Sequence, residues 1–115
     1  MGLATLLLQI TSKLPVKIMS DAKIGFCEIE LYLPGVLSLK QKRGIIKSML
    51  NKMKNKFNVA NAEVGKNDSW QSATIAITTV SNSTTRLNQT IQNVMKWIES
   101  TYPDAMIIKH STEIL

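Results

Sequence analysis

The chain has 115 residues, enough for one domain and too few for two of ordinary size. Its one cysteine, Cys27, excludes an intramolecular disulfide and fits a reducing cytoplasm, and its one histidine, His110, excludes a histidine metal cluster or a relay of two imidazoles. With 44% apolar residues and a net charge of +6, the composition describes a basic globular domain and excludes a disulfide scaffold, a zinc module, a disordered tail and a multidomain enzyme.

Residues Met1 to Met19 are unlike the rest of the chain. Leu3 to Ile10 is a mainly apolar run, far short of the ~20 residues that a membrane helix needs. Lys13 and Lys17 come after this run, whereas a signal peptide carries its positive charge in front. Leu6 stands where an N-myristoylation motif requires Ser or Thr. Residues 1–20 are therefore expected to be a loosely packed extension, or a stretch preceding a true start at Met19. Residues 21–115 are expected to form a single domain without a membrane partner.

Cys27, Ile29, Leu31 and Leu33 alternate with Glu28, Glu30 and Tyr32, a period of two that predicts a half-buried strand ending at Pro34-Gly35. Ser38 then opens a helix, with Gln41 three residues on completing a capping box. Leu39, Ile46, Leu50, Met53 and Phe57 fall on one face of it, and Gly44 interrupts it. Asn58 to Val64 is predicted as a second strand, and Ala73 to Thr78, rich in β-branched residues, as a third. Leu87, Ile91, Val94 and Ile98 come next at helical spacing, beginning after the cap residues Ser81-Asn82-Ser83 and stopping at Tyr102-Pro103. Ala105 to His110 is predicted as a final strand.

Two helices with one apolar stripe each must cover one face of the sheet that these strands form. The predicted fold is thus α+β: a ferredoxin-like βαββαβ unit with a four-stranded antiparallel sheet and both helices on one face. The other face, bearing Glu28, Glu30, Tyr32, Thr74 and Thr78, is left open.

Charge is the main functional signal. No acidic residue occurs between Leu31 and Ala62, while Lys40, Lys42, Arg43, Lys47, Lys52, Lys54 and Lys56 put seven cations in or beside the first helix. Lys40, Arg43, Lys47 and Lys54 share an arc of about 60° of the helix, at about 100° per residue. Small polar residues (Ser48, Asn51, Asn55) lie between these and the remaining lysines, a surface suited to a phosphate backbone. The alternative is a solvated face that keeps the protein soluble. No aromatic residue is predicted on this face, so contact with shape or backbone is expected in preference to base reading. Sheet-mode RNA binding is disfavoured, because Tyr32 is the sole open-face aromatic expected and it stands among glutamates.

Nothing in the sequence assembles a catalyst. Cys27 falls on the buried face of its strand, His110 is expected at a surface or strand edge, and Glu28 with Glu30 reads as a pair that keeps the sheet face soluble or binds a basic partner. There is no phosphate-binding glycine loop, CxxC or HExxH motif. The glycosylation triplets at Asn67, Asn82 and Asn88 are expected by chance in a chain rich in Ser, Thr and Asn.

The blocks Leu31-Tyr32-Leu33-Pro34-Gly35, Ser38-Leu39-Lys40-Gln41-Lys42-Arg43, Lys56-Phe57-Asn58-Val59, Ala62-Glu63-Val64-Gly65, Asp68-Ser69-Trp70-Gln71 and Glu113-Ile114-Leu115 resemble, in this order, the YlxP-like proteins. These are small bacterial proteins classed as domain-of-unknown-function family 503. The resemblance runs from about Ile24 onward and implies a ferredoxin-like fold and a start near Met19. It also implies an association with ribosomes or ribosomal RNA, since relatives are often encoded beside genes of translation initiation and ribosome maturation. Gly44 and Asn61 depart from the bulkier or more apolar residues expected in relatives. The shared loop block makes Asp68, Trp70 and Gln71 a possible contact site, although the packing habits of tryptophan favour Trp70 as an anchor holding the loop to the core.

The expectation is a non-enzymatic module, with no cofactor or metal, that binds ribosomal RNA or the ribosome through Lys40, Arg43, Lys47 and Lys54. The alternative is a protein-interaction module, including a homodimer, that uses the open sheet face.

Overall fold

A computed structural model describes residues 19–115, so the expected extension over residues 1–20 lies outside the described residues apart from Met19 and Ser20. The elements are β1 (Lys23–Tyr32), α1 (Leu39–Lys56), β2 (Ala60–Gly65), β3 (Ser72–Ser81), α2 (Thr84–Thr101) and β4 (Met106–Ile114). The four strands form one antiparallel sheet in the order β2-β3-β1-β4, the ferredoxin-like arrangement.

Alternation decides which face is covered. Cys27, Ile29 and Leu31 pair across the sheet with Ile77, Ile75 and Ala73, and all six point to the helices. There they meet Ile46, Met49 and Met53 of α1 and Ile91, Val94 and Ile98 of α2. Burying each such side chain contributes roughly 1.5–3 kcal/mol, and this layer is the source of most of the stability. Gly25 lets α2 approach: a Cβ there would stand 3.3 Å from Ile91 Cδ1.

The extents of β2, β3 and β4 differ from the sequence expectation. β2 begins at Ala60, β3 continues to Ser81, and β4 continues past His110 to Ile114 because Gly25 to Glu30 of β1 offers it partners as far as Ile114. β4 carries a bulge at Ile108, opposite Glu30 and Leu31 of β1, and β2 one at Val64, opposite Thr74 and Ile75 of β3.

α1 is capped as its sequence indicates. Ser38 Oγ accepts from Gln41 N at 3.0 Å, and Gln41 Oε1 accepts from Leu37 N at 3.0 Å. Its inward stripe is different from the one predicted: Lys42, Ile46, Met49 and Met53 are buried, whereas Leu50 and Phe57 are only partly so. The buried set in α2 is Leu87, Ile91, Val94 and Ile98, with the same spacing. Lys42 thus takes the position in α1 that Leu87 takes in α2.

Candidate nucleic-acid interface

The outer surface of α1 exposes Lys40, Arg43, Lys47 and Lys54 together. At about 1.5 Å rise per residue they form a stripe roughly 21 Å long. Lys52 and Lys56 are exposed on the flank, with their ammonium groups 6.0 Å from the Tyr102 ring and 5.9 Å from the Phe57 ring. Among the described residues, none of these six cations has a carboxylate within ion-pair distance. Lys40 lies in the first helical turn, where the helix dipole disfavours a cation by about 0.3–1 kcal/mol.

Lys42 does not belong to this surface, although it counts among the seven cations of the segment. Its side chain is 0% exposed, and Nζ lies 3.1 Å from Glu63 Oε2. The same ammonium donates to the carbonyls of Lys66 (2.9 Å), Asn67 (3.2 Å) and Ser72 (3.2 Å). A buried ammonium persists only when its charge and its donors are matched. Lys42 meets that condition and ties the start of α1 to the β2–β3 loop.

The loop itself is fixed from several sides. Lys66 adopts a left-handed backbone at φ 59°, and its Nζ pairs with Glu30 Oε1 at 2.7 Å. That hydrogen bond, with the charge of Lys66, holds the Glu30 carboxyl below its usual range. Gln71 Nε2 donates to Pro34 O at 3.0 Å and to Val36 O at 3.3 Å, while Leu33 N donates to Gln71 O at 2.8 Å. Gln71 is therefore a staple between the two loops, with its amide N–H groups already engaged. Asp68 is exposed. Trp70 does not anchor the loop against the core as expected: it is 56% exposed, because Lys42 and Gln71 already hold the backbone there.

Aromatic residues do reach the flank of α1, from an element that periodicity along α1 could not reveal. Tyr102, the C-cap of α2, places its hydroxyl 3.3 Å from Ser48 Oγ, which turns Ser48 away from the fully exposed face assigned to it. The ring stands edge-on to Trp97 at 5.7 Å, and Trp97 stands edge-on to Phe57 at 5.9 Å. Beside this row lies a cleft of about 490 Å³ between the β1–α1 loop and the α2–β4 connection, lined in part by Val36, Gln41, Ile45, Tyr102 and Asp104.

The remaining candidates have simpler settings. Cys27 is buried, and burial pushes its thiol above the ordinary range. His110 is exposed on the edge strand opposite Ile29. Glu28 and Tyr32 are exposed and Glu30, Thr74 and Thr78 partly exposed on the uncovered sheet face, as their alternation indicates. Among the described residues, no three His, Cys, Asp or Glu side chains converge on a metal-sized site, and no helix is long and apolar enough to cross a membrane.

The family profile described as "Protein of unknown function (DUF503)" matches residues 24–112, spanning both described helices and all of the sheet except Lys23 and the last two residues of β4. The chain belongs to the DUF503 family. The uncharacterized protein YlxP of Bacillus subtilis (strain 168) is 39% identical over 77 residues, covering 67% of this chain and 84% of that protein. Among solved structures, the de novo designed protein Foldit4 is similar to 82% of this chain and 96% of its own, at 10% identity and a TM-score of 0.49. The de novo designed protein Ferredog-Diesel is similar to 86% of this chain and 92% of its own, at 10% identity and a TM-score of 0.41. The DUF503 match covers the basic stripe and the pinned loop alike, and its description assigns no function to either.

Proposed function

We propose that this DUF503 protein is a non-enzymatic RNA-binding module that lays α1 along a phosphate backbone, with structured ribosomal RNA as its first target. The observation that carries the reading is the stripe of Lys40, Arg43, Lys47 and Lys54, exposed on one helix face and unpaired among the described residues. Solubility needs charge but not its confinement to one element. Unpaired cations gathered on a single face raise the local field and the rate of encounter with a polyanion. The six exposed cations of α1 equal the whole net charge of +6, so this helix is the positive pole of the molecule.

Titration of structured ribosomal RNA at several salt concentrations tests the reading. Contact with four or five phosphates gives a slope of log affinity on log salt of about −3 to −4. The double charge reversal Arg43→Glu/Lys47→Glu should weaken binding to a similar degree across RNA sequences. Affinity unchanged in that double variant would overturn the assignment.

A second reading, self-association through the open sheet face, is favoured by a shallow hollow of about 230 Å³ there, lined by Phe26, Ala60, Ala62, Ala76 and Thr78. It requires a salt-insensitive dimer in sedimentation equilibrium that the variant Ala76→Lys abolishes. A monomer at high protein concentration would remove it.

A further inference from the structure

The cleft beside Tyr102 continues into a second, more open hollow of about 560 Å³, and the two share Gln41, Ile45 and Tyr102. Together they form one groove that runs from the β1–α1 loop across α1 at Gly44 and Ser48. Lys40 stands on its margin and also begins the basic stripe, so the groove and the stripe are continuous.

Gly44 is the informative residue. It lies inside an 18-residue helix, where glycine costs about 1 kcal/mol relative to alanine. Among the described residues nothing requires it: its φ is not positive, and a Cβ there would meet no described atom within 4 Å. A helical glycine without an internal packing reason leaves room for something outside the chain to approach the helix backbone.

The chemistry of the groove restricts what that is. Val36, Ile45 and Ala105 give an apolar lining, and Tyr102 is held in place by Ser48 and Trp97. Gln41 keeps its amide N–H groups for a ligand, since Oε1 already accepts from Leu37 N. At the far end, Asp104 and the last carbonyls of α2, a helix with no basic residue in its final turn, supply hydrogen-bond acceptors, while Lys52 Nζ stands 6.0 Å from the Tyr102 ring. The amino and ring N–H groups of a nucleobase find acceptors at that end, and its phosphate finds Lys40 on the margin. Flat, apolar, with polar edges, and attached to phosphates that the neighbouring stripe attracts, a nucleobase satisfies every part of the site.

We infer that this groove accepts one unpaired base of the RNA whose phosphates lie along α1, an inference that rests on the reading proposed above. Stacking of a base on an aromatic residue contributes about 1–3 kcal/mol, which corresponds to a preference of roughly 5- to 150-fold. The protein therefore discriminates between continuous duplex and duplex interrupted by a free nucleotide, without reading sequence along the helix.

The test compares two RNA hairpins of equal nucleotide number, one fully paired and one with a single-nucleotide bulge, by fluorescence anisotropy with the full chain. The wild type should bind the bulged RNA about tenfold more tightly, within the range expected for one stacked base. Gly44→Gln, which fills the groove from the exposed helix face, should remove the preference and leave affinity for the paired hairpin in place. Gly44→Ala should raise Tm and reduce the preference, a combination that a purely structural role for Gly44 does not produce. Equal wild-type affinities, or a preference that survives Gly44→Gln in a protein of unchanged Tm, would overturn the inference while leaving the phosphate reading intact. Failure to bind either hairpin overturns both. A free mononucleotide that binds as tightly as the bulged RNA overturns it in favour of a small-molecule site.

Discussion

Lys42 occupies a position where leucine would satisfy the packing, and its ammonium is held by Glu63 and three loop carbonyls. Removing one member of such a pair leaves the other charge buried without its match. Glu63→Ala should therefore destabilise the protein by about 3 kcal/mol, the lower end of the range for a broken buried pair because Glu63 is partly exposed. Denaturant unfolding at neutral pH measures it, and a loss below about 1 kcal/mol would place Glu63 among ordinary surface pairs. Lys42→Met keeps the buried stem and loses the three loop bonds, so its main effect should be on the order of residues 66–72. The role of Lys42 was written in the sequence as a spacing but hidden by its chemistry. Positions 42, 46, 49 and 53 repeat the intervals of 87, 91, 94 and 98, yet a lysine is counted as exposed until a carboxylate is known to face it. Glu63 could not be assigned that part from its own strand, because a six-residue strand does not announce which of its faces is covered.

The elements themselves were legible, and for stated reasons. Ser38 with Gln41 marked the start of α1, the apolar period marked α2, and strict alternation marked β1, each a local signal that needs no distant partner. What was not legible depended on pairs of elements: the extra length of β4, fixed by the length of β1, and the exposure of Trp70, fixed by Lys42 and Gln71 from two other segments. Lys40, Arg43, Lys47 and Lys54 are exposed on one face because they share a single helix, whereas Tyr102 reaches that flank only through the crossing of α2. The β2–β3 loop also carries a pH dependence. Glu30 has its carboxyl lowered from an ordinary value of 4.5, chiefly by the hydrogen bond from Lys66. A carboxyl lowered on folding stabilises above its unfolded value, and that contribution is lost as pH falls through the folded value. Stability should thus decline as pH drops below about 4.5, and Glu30→Gln should flatten this part of the profile. Thermal unfolding between neutral and acid pH checks it, and parallel profiles for the two proteins would contradict the role given to the Glu30–Lys66 pair.

For the molecule as a whole, β1 is the central support: it pairs with β3 on one side and β4 on the other, and both helices rest above the sheet to which it belongs. Cys27 sits in the middle of it, 0% exposed. Its thiol is therefore a reporter of concerted opening. With a stability of at least about 5 kcal/mol, as is usual for a domain of this kind, modification by a thiol reagent should be slowed about 10³-fold or more relative to the unfolded chain. It should accelerate in step with unfolding as denaturant is added. Rapid modification in native buffer would mean that β4 leaves the sheet independently of the rest.

The backbone bonds between Ile24 and Leu115, at 3.1 Å and 2.7 Å, join the beginning of β1 to a segment made some ninety residues later. During vectorial synthesis β1 is made before every other described element, yet its pairing waits for the last of them. Its hydrophobic face can be covered by α1 and α2 while translation proceeds, but one flank of its backbone stays unpaired until residues 106–115 leave the exit tunnel. Before then the nascent chain presents an open strand edge, the kind of template that recruits other strands. A chain cut short before Met106 should therefore keep that edge of β1 open and associate through it, which the chain carrying residues 106–115 does not.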